Sequence, residues 1–124
     1  MDCFLTEEET KKYVNDYFVA LGYKTTVAWG HYRGADIIAQ NGTECKIIEV
    51  KGCGSRPQMR VNYFLSMLGE ILQRMDNDKC QYYIALPKIK QYENLWQRLP
   101  LIAKRRTQIK LILVDSNGEL EFLE

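Results

Sequence analysis

The sequence is poor in histidine, in net charge and in long apolar runs, and each shortage closes off a class of function. Its one histidine, His31, stands far in sequence from most of the four cysteines, Cys3, Cys45, Cys53 and Cys80. No cysteine pair has C-x-x-C spacing, which argues against a zinc site. A chain of 124 residues does not need a disulfide framework, so reduced thiols in a reducing compartment are expected. The formal net charge is +1, so any surface for nucleic acid must be local. No apolar run approaches the roughly 18 residues that span a bilayer. The opening MDCFLTEEETKK has neither the basic nor the apolar region of a secretory signal. These shortages predict a cytoplasmic protein with no membrane segment. What remains is an ordinary globular mix, 46% hydrophobic and 27% charged, enough for one domain over residues 1–124 with a real core.

Along the chain, Thr6 and Glu9 have capping-box spacing and open a helix over 6–21, with Tyr13, Val14, Tyr17, Phe18 and Leu21 at core spacing. Gly22 supplies its left-handed stop. Strands are expected at 24–29, 35–40 and 43–51. A second helix runs from Pro57 to Met75, with Val61, Phe64, Leu65, Leu68, Ile71, Leu72 and Met75 inward. A strand at 80–86 is followed by a helix at 89–104 that Pro100 breaks or kinks. KLILV at 110–114 reads as a strand buried on both faces, and ELEFL as an edge strand. The order predicts an α/β sandwich with a mixed sheet, and a right-handed parallel crossover from 80 to 114. Trp29 and Trp96 are assigned to the core.

The stretch GADIIAQNGTECKIIEVKG, residues 34–52, carries Asp36, Glu49 and Lys51 inside two apolar runs joined by Asn41-Gly42, a hairpin signal. A two-residue turn with Gln40 opposite Thr43 sets Asp36 opposite Ile47. Alternation then points Asp36, Ile47, Glu49 and Lys51 to one face, and Ile37, Ala39, Ile48 and Val50 to the other. Asp36 and Glu49 become diagonal neighbours roughly 7–8 Å apart, near enough to share one divalent cation. A three-residue turn would put them on opposite faces and dissolve the site. Flanking isoleucines and Val50 make these central strands, which seldom hold charge. Mg²⁺ prefers such hard oxygens and keeps several waters, one of which would be a nucleophile. The Val50 carbonyl is a further ligand candidate. Lys51 would orient or deprotonate the water, or stabilise charge on a scissile phosphate.

Asp36 in GADIIA, with Glu49, Val50 and Lys51 in IIEVKG, resembles the PD-(D/E)XK nuclease superfamily. Ala35 stands where the family name has proline. The resemblance implies a restriction endonuclease-like α-β-β-β-α-β core, a mixed central sheet flanked by helices, and hydrolysis of DNA phosphodiesters with Mg²⁺, for which Mn²⁺ substitutes. It also implies an acidic ligand from the first helix, where Glu9 is the candidate and the capping box its rival role. It implies a glutamine on the next helix, loosely matched by Gln58, which can equally be a plain first-turn residue. Arg33, Arg56 and Arg60 are candidates for nucleic-acid contact. For Lys104, Arg105 and Arg106 a phosphate role and a favourable helix C-terminus compete equally. One active site per domain means that double-strand cleavage needs a homodimer or a partner subunit. The alternative is a non-catalytic nucleic-acid-binding or protein-interaction module on the same fold.

Overall fold

The computed structural model describes residues 5–29 and 34–124. Its elements are α1 (Glu7–Ala20), β1 (Lys24–Val27), β2 (Ile37–Asn41), β3 (Glu44–Val50), α2 (Pro57–Arg74), β4 (Cys80–Pro87), α3 (Lys90–Gln97), α4 (Leu101–Thr107), β5 (Ile109–Val114) and β6 (Leu120–Leu123). The α-β-β-β-α-β core is the one expected. The strands form one six-stranded mixed sheet in sequence order. β1–β2, β2–β3 and β5–β6 are antiparallel, while β3–β4 and β4–β5 are parallel.

Helices cover both sheet faces. On one, Val14 and Phe18 of α1 pack against Ile37, Ala39, Ile48 and Val50. On the other, Phe64, Met67 and Ile71 of α2 and Tyr92, Leu95 and Trp96 of α3 pack against Ile84, Leu86 and Leu111. The inward stripe of α2 therefore runs through Met67, and Leu65 and Leu72 face outward, against expectation. Their positions lie about 100° per residue around the helix from the Phe64–Met67–Ile71 line. Tyr17 of α1 is exposed beside the buried Phe18, Leu21 is exposed at the C-cap where the helix ends, and Trp29 is 48% exposed rather than core. Trp96 is buried as expected. The expected helix at 89–104 is two helices, α3 and α4, because Pro100 is extended (φ −63°, ψ 150°) and caps the second.

The hairpin register differs from expectation by one residue on each strand. Asn41 pairs with Glu44, Gln40 with Cys45 and Ile37 with Ile48. The two-residue turn is Gly42-Thr43, not Asn41-Gly42. Gly42 has φ +62° and Thr43 does not have a positive φ, so the glycine takes the first central position. The loop length is unchanged, so the face of every side chain is unchanged. One residue beyond Ile37–Ile48, Asp36 lies directly across from Glu49, not from Ile47.

Pairing β3 with β4 sets Cys45 beside Cys80, with Cα atoms 4.5 Å apart, and their sulfurs are bonded. Among the described residues no cysteine is a free thiol, which corrects the expectation of reduced thiols. A separation of 35 residues gives no hint of this pairing, which only the parallel register creates. The cytoplasmic expectation loses that support. No helix among the described residues is long and apolar enough to cross a membrane.

Three helices fix the end of β3. The Tyr92 hydroxyl of α3 donates to the Gly52 carbonyl at 2.8 Å in a buried contact. Cys53 N–H donates to Leu5 O at 3.0 Å. A Cβ on residue 52 would overlap the Thr6–Glu7 backbone, so only glycine lets α1 start this close to β3. Arg60 of α2 donates through Nε to Cys53 O at 2.7 Å and through Nη1 to Gln91 Oε1 at 3.2 Å. Lys51, one residue before Gly52, thus starts from an anchored backbone.

Candidate active site

Asp36, Glu49 and Lys51 come together where β2 begins and β3 ends. Asp36 N–H donates to Glu49 Oε2 at 3.1 Å, and Val50 N–H donates to Asp36 Oδ2 at 2.8 Å. These reciprocal bonds lock the two acids across the strand pair. Val50 itself points into the α1 core, so its expected part in the site is confined to its backbone.

Glu49 is only 2% exposed. Burial pushes its carboxyl from 4.5 up to about 8, helped by a hydrogen bond with Glu70 and the charge of Asp36. The Asp36 N–H and the Arg74 guanidinium pull the other way. A carboxyl raised in this way holds a proton that the unfolded chain has already lost, between about pH 4.5 and 8. The metal-free protein should therefore lose stability as pH rises from about 4.5 to about 8 and level off above that. Chemical denaturation across this range measures it, and Glu49→Gln should flatten the profile.

Lys11 neutralises Asp36 from the α1 side. It is 1% exposed, its Nζ lies 3.3 Å from Asp36 Oδ1 and 3.9 Å from Glu7 Oε2, and it donates to Ala28 O. It also sits 5.5 Å from the Trp29 ring centre. Lys51 Nζ lies 3.8 Å from Glu7 Oε1 and 5.4 Å from the Tyr63 ring centre. Beside it opens a cavity of about 340 Å³ whose walls include Glu7, Gly52, Gly54 and Tyr63.

Several expected site residues fall elsewhere. Glu9 accepts from Thr6 N–H at 3.0 Å and its own N–H donates to Thr6 Oγ1, so its capping-box role prevails. Glu7 is the first-helix acid that reaches the site, and its oxygens meet the two lysines. Arg60 is spent on Cys53 and Gln91. Gln58 is exposed and its amide turns to Asn62 at 3.5 Å. Arg56 is exposed at the start of α2. Arg33 and His31 lie outside the described residues. Lys104, Arg105 and Arg106 occupy the last turn of α4, which enters the opposite end of the parallel strands.

Glu70, Arg74 and Lys11 are the residues that sequence reasoning did not enlist. A signal existed for each. Lys11 precedes Val14 and Phe18 at i+3 and i+7, a core position held by a charge. Glu70 and Arg74 follow the buried Met67 and Ile71 by three residues each, and so flank the inward face of α2. Arg74 Nε lies 3.6 Å from Glu49 Oε2, and its Nη2 donates to Gly34 O at 3.0 Å.

Among the described residues no three His, Cys, Asp or Glu side chains already form a metal-holding group. The donors present are nevertheless carboxyl oxygens, hard ligands once ionised, and burial raises the carboxyl of one of them, Glu49. Mg²⁺ requires only one or two carboxylates and retains water, so Asp36 and Glu49 fit it.

No protein-family model matches the chain, and no curated protein matches it. Two solved structures resemble it. A XisH family protein from Nostoc punctiforme superposes with TM-score 0.64 at 19% identity, over 93% of this chain and 98% of that one. An fdxN element excision controlling factor protein from Anabaena variabilis gives 0.62 at 18% identity, with the same coverage. The chain thus shares its mixed α/β fold with these two proteins.

Proposed function

We propose that this chain is a PD-(D/E)XK-type endonuclease domain that hydrolyses DNA phosphodiester bonds with Mg²⁺ or Mn²⁺. The observation that carries this reading is the locked Asp36–Glu49 pair with Lys51 two residues on, at the anchored end of β3. Folding alone gains nothing from a buried acid facing a second carboxylate, since apolar residues would fill the same space at lower cost. Asp36 and Glu49 would hold the cation, which would supply charge neutralisation and an activated water. Lys51 Nζ, held between Glu7 and Tyr63, would orient the attacking water and stabilise negative charge gathering on the phosphate. Glu7 holds this ammonium in place through their ion pair. The exposed Arg56 supplies phosphate contact, as does Arg33.

One neighbour is named an fdxN element excision controlling factor. That setting agrees with a DNA substrate here. Cutting both strands takes two such sites, and we include a homodimer or a partner subunit in the proposal, in a cytoplasmic setting.

A second reading has an observation in its favour. Lys11 and Arg74 already stand against the two acids, as they would in a domain that keeps the fold as a non-catalytic nucleic-acid-binding or protein-interaction module. Calorimetric titration with Mn²⁺ and Mg²⁺ separates the two. The nuclease reading expects saturable binding near one ion per chain, lost in Glu49→Gln. Heat absent for both ions, with intact folded protein, favours the module.

A further inference from the structure

The outer face of α2 carries no charge. The helix has three charged residues, and each turns toward the body of the protein. Arg60 donates to Cys53 O and Gln91, Glu70 is hydrogen-bonded to Glu49, and Arg74 donates to Gly34 O. The solvent side holds Asn62, Leu65, Ser66, Gly69, Leu72 and Gln73 instead. Leu65 and Leu72 are 60% and 49% exposed. At 100° per residue they lie with Gly69 inside an arc of about 60°. Gly69 sits in the middle of an 18-residue helix and has no positive φ. Glycine weakens a helix interior relative to alanine. A Cβ at this position would meet no atom within 4 Å, so no packing among the described residues requires the missing side chain. What the glycine supplies is a low point on the helix surface, where a second helix can approach closely.

We propose that this face is a homodimer interface, in which α2 of a second copy crosses antiparallel over Gly69. With a two-fold axis between positions 68 and 69, Leu65 meets the partner's Leu72, and Leu72 meets the partner's Leu65. The two leucines lie about 10 Å apart along the helix, one on each side of the crossing. Charge selects this occupant. An uncharged face offers nothing to an acidic or basic partner, whereas a copy of itself leaves no charge buried and unpaired. The helix ends select the antiparallel order. Exposed Arg56 flanks the N-terminal end, and past the C-terminal end exposed Asp76 and Asp78 outnumber Lys79. Antiparallel copies set opposite charges together, and parallel copies like charges. The interface deepens the functional reading above and rests on its homodimer. Glu70 of the same helix touches Glu49, so pairing through α2 would hold two cleavage sites at one fixed spacing.

The test is sedimentation equilibrium of the metal-free full chain from about 1 µM to about 1 mM, for wild type, Leu65→Glu and Gly69→Ala, each checked for folding by circular dichroism. A single helix crossing is smaller than a standard interface, so the expected wild type is a reversible dimer with Kd on the order of 10 µM. Leu65→Glu should weaken it at least about tenfold, since the two-fold axis repeats each substitution. Gly69→Ala should weaken it too, while raising the melting temperature of the monomer. A glycine with only a local role would show the higher melting temperature alone. A wild type that stays monomeric up to about 1 mM overturns the interface and the homodimer with it, while the metal site stands or falls by its own calorimetry. A dimer that neither substitution weakens overturns the α2 interface and leaves the homodimer standing. A dimer weakened by Leu65→Glu alone overturns the crossing at Gly69.

Discussion

Replacing Glu49 with glutamine is expected to abolish divalent-metal binding and lower metal-dependent DNA cleavage by at least about 10²–10³-fold. The same change should leave the metal-free protein as stable as wild type at pH 4 and more stable at pH 8 and above. The two effects oppose each other for one reason. Glu49 is buried, and its carboxyl is pushed to about 8 first by that burial, then by Glu70 and Asp36. Ionising it costs folding free energy that a neutral amide does not cost. The glutamine oxygen can still accept from Asp36 N–H, and its amide nitrogen can donate to Glu70. Only the negative charge is lost, and a metal requires that charge. Urea denaturation at the two pH values, beside a cleavage assay on the same preparations, checks both halves. Loss of activity with gain of stability is the mark of a residue kept for function. A Glu49→Gln protein less stable than wild type at pH 8 would mean that the acid is structural.

Asp36→Ala is expected to have the largest effect on stability, a loss of about 3 kcal/mol, because it strands Lys11. That lysine is 1% exposed, and Asp36 is its nearest carboxylate at 3.3 Å. Ala28 O and the more distant Glu7 oxygen remain, which keeps the cost at the low end for a broken buried pair. The truncation also leaves Val50 N–H without its acceptor. Adding Lys11→Met should restore much of the loss, because the uncompensated charge then disappears with its partner. A double-mutant cycle by thermal and chemical denaturation measures this coupling. Independent, additive costs would show that Lys11 does not depend on Asp36. It follows that lost cleavage in Asp36→Ala would not by itself identify a metal ligand. Asp36→Asn, which keeps an acceptor for Val50 N–H, is the better probe of chemistry.

The local features of the site were legible in the sequence. Thr6 and Glu9 announced the start of α1, Pro57 the start of α2, and Pro100 the break between α3 and α4. Alternation around Asn41-Gly42 put Asp36, Glu49 and Lys51 on one face, and any two-residue turn preserves that result. What the alternation could not fix was which residue pair caps the hairpin. That choice depends on where the glycine with positive φ sits, and it decides whether Asp36 faces Ile47 or Glu49. The nonlocal partners were not legible for a different reason. Lys11, Glu70 and Arg74 meet the acids only after helices pack on both sheet faces, and Cys45 meets Cys80 only through parallel strand register. Each left a local trace, a charge at or beside a core position, but a trace of this kind does not name its partner. Glu9 shows the converse: its capping signal was strong and local, and it prevailed over the longer-range role.

The central claim is that Asp36, Glu49 and Lys51 form a metal-dependent DNA-cleaving site. The most direct measurement is cleavage of supercoiled plasmid and branched DNA across a Mg²⁺ titration, by wild type and Lys51→Ala in parallel. Lys51 is partly exposed and among the described residues its ammonium pairs with Glu7 and the Tyr63 ring, so its truncation leaves the fold intact and isolates the chemistry. The account predicts nicking or strand scission that rises with Mg²⁺, stops with chelator, and falls by at least about 10²-fold in Lys51→Ala. Cleavage retained in Lys51→Ala, or none by the wild type on any of these substrates with Mg²⁺ or Mn²⁺, would contradict it.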